Sequence, residues 1–142
     1  MATSLTKPSD LIENNYKKAL VMALNEHIEE DVTLLIEGTV INCFASYCPN
    51  EIKVGNSYDV ELTLNLSDEY EIQKIESRKT LAERTGRGYS YFLYGELRDD
   101  HFMTFTSLND EGVHYDHPDC NEHFIKLEVE RIDVAFLSAA IT

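Results

Sequence analysis

Hydrophobic and polar positions follow two different periods along this chain. Over residues 9–30, Ile12, Tyr16, Ala19, Leu20, Ala23, His27 and Ile28 recur at three- and four-residue spacing, which predicts an amphipathic helix. Ser9 is placed to cap it, and Asp10 falls in the first turn, where the helix dipole favours a carboxylate. Glu26, Glu29, Glu30 and Asp31 crowd the opposite end against the dipole, so helix stability did not select them there. From Val32 the period becomes that of strands. Residues 32–45 are rich in β-branched side chains and contain Gly38, which predicts a bend or bulge within one strand. After turn chemistry at 50–56, Tyr58, Val60, Leu62, Leu64 and Leu66 alternate with Asp59, Glu61, Thr63 and Asn65, the clearest strand in the chain.

Residues 70–75 form a third candidate strand, and the polar stretch 80–84 reads as a helical turn broken by Gly86 and Gly88. Residues 89–97 and 102–106 then pair as a hairpin across Arg98, Asp99 and Asp100. In the last strand Ile125, Leu127 and Val129 share one phase while Ile132, Val134 and Phe136 share the other, so a bulge is expected near Glu130 and Arg131. The expected class is mostly β, of α+β type, in a single domain spanning 1–142: a helix over 9–30, then a β unit over 32–137. The order of elements resembles an OB-like barrel of five to six antiparallel strands, which needs both bend and bulge to close. A strongly curved antiparallel sheet with the helix on one face is the alternative. The expected core includes Val60, Leu62, Leu64, Leu93, Leu127, Val129, Ile132 and Val134.

Composition narrows the function classes. The chain has 142 residues, 43% of them apolar and 27% charged, which suits one folded domain rather than a disordered tail. Its net charge of −14 repels phosphate backbones and anionic lipid, so neither nucleic acid nor membrane is an expected partner. The first residues lack an apolar run of signal-peptide length, and the three cysteines read as reduced thiols, so the expected location is the cytoplasm. One segment runs against the overall charge. Lys74, Arg78, Lys79, Arg84 and Arg87 face only Glu76 and Glu83 between positions 74 and 87, which makes this strip a candidate anion site.

Several groups of residues are of types that can carry chemistry. His114, His117, Cys120 and His123 fall at three-residue intervals and are ligand types that zinc prefers, but Pro118 opposes a regular helix through them. A polar connecting loop is the plainer reading, and a small metalloprotein centred on 114–123 stands as a further alternative. Cys43, within a strand pattern, reads as core rather than as a redox partner of Cys48. Tyr89, Tyr91, Phe92 and Tyr94 follow the basic strip, as aromatic platforms do in single-strand binders, so an OB-like ligand or nucleic-acid binder is an alternative. No nucleophile elbow or phosphate loop is present, hence no enzyme activity, no catalytic residue, no cofactor and no metal is expected. The leading expectation is an acidic protein-binding module, similar in kind to inhibitors and immunity proteins that neutralise a basic partner such as a nuclease toxin. Its contacts are expected at Glu29, Glu30, Asp31, Asp99 and Asp100, the densest carboxylate runs at element ends.

Overall fold

The computed structural model describes residues 15–86 and 88–137, and within them the chain is mostly β. Its elements are β1 (Tyr16–Leu24), β2 (Asp31–Ile36), β3 (Thr39–Tyr47), β4 (Ser57–Asn65), β5 (Ile72–Lys74), β6 (Ala82–Arg84), β7 (Tyr91–Arg98), β8 (His101–Met103), β9 (Ser107–Asn109), α1 (Val113–Asp116), β10 (Phe124–Val129) and β11 (Arg131–Phe136). They form two sheets. In the first the pairing order is β1–β2–β3–β11–β4, and β4 pairs back onto β1, Tyr16 opposite Glu61, so the circuit of hydrogen bonds closes. Its pairs are antiparallel except β3 with β11, which run parallel from Asp133 opposite Phe44. The second sheet has the order β5–β10–β7–β8–β9, with β6 also on β7, and is inserted between β4 and β11.

The expected N-terminal helix is not formed. Its start, Ser9, Asp10 and Ile12, lies outside the described residues, and Tyr16–Leu24 is β1 instead. Residues 19–24 are apolar at every position, so they satisfy a helical stripe and a strand equally; pairing on both sides, to β2 and to β4, settles the choice. Ala19 and Val21 point inward, and a register shift between Val21 and Ala23 turns the end of the strand outward. The single strand expected over 32–45 is two strands. Ile36 pairs with Thr39 across a two-residue turn in which Glu37 (φ 46°) and Gly38 (φ 85°) are both left-handed, the backbone that matches strand twist in a tight hairpin. The helical turn expected over 80–84 is β6, paired with β7.

The slip in phase at Glu130 has a cause other than a bulge in one strand. β10 lies in the second sheet and β11 in the first, so the chain changes sheets at Glu130 and with it the face that is buried. Glu130 donates its backbone N–H to Asn65 O at 2.9 Å. One continuous apolar cluster spans both sheets and includes all eight expected core residues, each fully buried except Leu64 at 3% exposure. The expected hairpin is present as β7–β8, Arg98 opposite His101, with Asp99 (φ 52°) in its turn. No helix among the described residues is long and apolar enough to cross a membrane.

Candidate functional site

Two connections of the first sheet enclose a recess of about 560 Å³: residues 25–30, joining β1 to β2, and residues 48–56, joining β3 to β4. The first is held by Asn25, whose Oδ1 accepts the N–H groups of His27 (2.8 Å) and Ile28 (3.0 Å) and whose Nδ2 donates to Asp31 Oδ2 (3.1 Å). Such a side-chain turn fixes a loop without regular structure. The second is anchored by the Lys53 N–H donating to the Tyr58 hydroxyl at 2.8 Å. Leu24, Ala45, Pro49 and Ile52 supply apolar lining, and Glu29 and Glu51 supply carboxylates. Ile28, Tyr47 and Val54 stand exposed on the same connections and the adjoining end of β3. The Cys48 thiol also lines the recess and donates to Asn50 O; partial burial first, then the Glu29 charge, push its pKa up.

Beside the recess, the outer face of β2 and β3 carries a polar network beneath β6. Asn42 Nδ2 donates to Asp31 Oδ1 at 2.6 Å and to Thr33 Oγ1 at 3.3 Å, while its Oδ1 accepts from an Arg84 terminal nitrogen at 3.2 Å. Further along, Phe44 meets Tyr89 edge-on at 5.7 Å and carries the Arg131 guanidinium over its ring at 4.1 Å. Arg131 is paired in turn with Asp133, by two hydrogen bonds of 2.6 and 3.2 Å.

The structure separates the carboxylates expected to act together. Glu29 and Glu30 are exposed on the β1–β2 connection, and Asp31 is half-buried in the Asn42 network. Asp99 and Asp100 are on the β7–β8 turn of the other sheet, where Asp100 pairs with His101 at 2.7 Å and the Asp99 N–H donates to Asn121. The basic strip is also dispersed. Lys74 pairs with Asp119 at 4.0 Å, Arg78 lies 3.9 Å over the Tyr94 ring, Lys79 is exposed, Arg84 joins the network above, and Arg87 lies outside the described residues. Tyr91 and Tyr94, expected as stacking platforms, are 5% and 3% exposed; Tyr91 accepts the Asn42 N–H and Tyr94 donates to Glu83. Neither ring has a face free for a base.

The histidine-rich segment forms α1 and a short 3-10 turn, Pro118–Cys120. His114 Nδ1 lies 2.7 Å from the buried Asp110 carboxylate, His117 sits edge-on to Tyr70, and Cys120 is buried, with burial pushing its pKa up. Among the described residues no three His, Cys, Asp or Glu side chains come together as metal ligands would. Asn42 is the residue that sequence reasoning missed. Its signal was an amide between Ile41 and Cys43 in an otherwise apolar strand, a polar side chain where burial is costly without partners.

Comparison with known proteins gives one family. The family model described as "Uncharacterised conserved protein UCP019853" matches residues 15–137, the span that the two sheets occupy. No curated protein and no solved structure matches the chain.

Proposed function

The chain belongs to this family, and from its geometry we propose that it is an acidic protein-binding module that receives a basic partner at the recess between the β1–β2 and β3–β4 connections. The observation that carries this reading is the pairing of an apolar lining with Glu29 and Glu51 in one recess, flanked by exposed Ile28 and Val54. Protein interfaces place binding energy in an apolar anchor seated in a pocket and use charge around it to select and steer the partner. A net charge of −14 extends that steering over the whole molecule. Neutralising a basic enzyme, as an inhibitor or immunity protein does, is the kind of role this chemistry serves. The closed five-strand circuit with its one parallel pair supports treating the first sheet as an OB-like barrel, whose connecting loops carry binding in that architecture.

The test is selection from a random peptide library displayed against the immobilised chain at low salt. Enriched peptides are expected to carry Lys or Arg on either side of an apolar residue, and to lose binding to a Glu29→Lys/Glu51→Lys variant. Enrichment of acidic or uncharged sequences, or equal binding to the variant, would count against the reading.

A further inference from the structure

A second cavity, of about 280 Å³, opens on the outer face of the first sheet, bounded by Ala23, Asp31, Thr33, Asn42 and Arg84 among others. Its volume corresponds to roughly nine waters at their share of liquid volume. Among the described residues, Asn42 is the one buried polar side chain on the strands of the first sheet. Its neighbours Ile41 and Cys43 face the core, so strand alternation turns Asn42 outward, beside its register partner Thr33, which in turn opposes Ala23.

That amide holds two opposite charges at fixed positions. It offers a donor to the Asp31 carboxylate and an acceptor to the Arg84 guanidinium from atoms two bonds apart. Both charged groups are restrained from their far sides as well: Asp31 Oδ2 accepts from Asn25 Nδ2 at 3.1 Å, and Arg84 Nε donates to Gly88 O at 2.8 Å. The Asn42 backbone N–H donates to the Tyr91 hydroxyl at 2.9 Å, which pins β3 to the second sheet at this point. A carboxylate and a guanidinium therefore stand in the wall of one small cavity at a separation set in advance, and preorganised polar groups cost little to order when a ligand arrives. A molecule with a charged donor and a charged acceptor two or three bonds apart repeats, from the cavity side, the pattern that Asn42 presents from within.

We propose that this cavity binds a small zwitterion of the α-amino acid class, its ammonium on Asp31 and its carboxylate on Arg84. Glycine and alanine, the simplest members of the class, are the probes, since the volume admits larger side chains as well. The cavity shares Leu24 and Asn25 with the neighbouring recess, but its charged contacts, Asp31 and Arg84, do not line that recess, so either reading can fail alone.

Calorimetric titration of the full chain with glycine and L-alanine, beside acetate and methylammonium as half-ligands, tests it. Saturable binding of the zwitterions is expected, with each half-ligand weaker by at least about tenfold. Asp31→Asn and Arg84→Gln should each weaken glycine by about tenfold or more while the dispersion of the amide NMR spectrum stays that of the parent chain. The half-ligand comparison uses the unaltered chain and decides the matter even where a variant fails to fold. No saturable heat from either amino acid, a half-ligand that binds as well as glycine, or folded variants that bind as the parent does would overturn the proposal.

Discussion

Gly95 sits where the second sheet leaves no space for a side chain. A Cβ there would stand 2.2 Å from the Met103 carbonyl oxygen and 2.8 Å from Thr104 Cα, both backbone, so no flexible group gives way. Gly95→Ala is expected to cost about 1–3 kcal/mol or more by overpacking, read as a lower denaturation midpoint. Leu62, fully buried in β4, is the complementary case, and Leu62→Ala should cost about 2–5 kcal/mol. A loss below about 1 kcal/mol would put the wrong face of β4 inward. The thiols separate by burial. Cys43 is fully enclosed and its pKa is driven far up by desolvation, Cys120 is nearly enclosed, and Cys48 is exposed. A thiol reagent is expected to modify Cys48 in the folded chain and the other two only on unfolding. Because the thiolate is the nucleophile and burial and Glu29 raise the Cys48 pKa, its rate should keep rising with pH beyond the ordinary thiol range. Glu29→Gln should speed modification at neutral pH; an unchanged rate would mean that Glu29 does not act on the recess.

At the scale of elements, the sequence was legible where one face of a strand is buried and the other is wet. Residues 58–66 alternate cleanly because β4 has that environment, whereas residues 19–24 are apolar throughout and carry no period to read. The phase slip at Glu130 was visible, but its cause, a change of sheet, depends on pairings distant in sequence. β5, β6, β8 and β9 span three residues each, too few to establish a period. At the site, Glu29, Asp31 and Arg84 could be picked out as charges, but which of them meet depends on β6 crossing the β2–β3 face, and Asp99 and Asp100 went to the other sheet for the same reason. The corner between β9 and α1 carries a pH prediction. Burial, then Asp110 and Glu61, raise the Glu111 carboxyl above its ordinary value of 4.5. A raised carboxylate pKa means that the folded state binds the proton more tightly than the unfolded one, so this contribution is present below the unfolded pKa and is lost as pH rises through the folded pKa. Glu111→Gln should therefore raise Tm at pH 7, with the gain fading as the pH is lowered through that range; a constant gain at every pH would contradict the assignment.

Over the whole molecule, a charge of −14 guarantees some attraction to any basic protein, so local recognition has to be distinguished from net charge. Screening offers the means, since the Debye length is about 10 Å at 0.1 M salt and shrinks as salt is added. The decisive measurement is the association rate of a basic peptide from the library selection, at about 50 mM and about 300 mM salt, for three chains. These are the parent, Glu29→Lys/Glu51→Lys at the recess, and Glu76→Lys/Asp100→Lys, which changes net charge equally from exposed positions on the second-sheet insertion. Docking at the recess predicts fast, steeply salt-dependent association for the parent, retention of most of that rate by the remote variant, and a clearly slower rate for the recess variant at the same net charge. Equal slowing by both variants would show that net charge alone draws the peptide in, and would contradict the recess as the binding site.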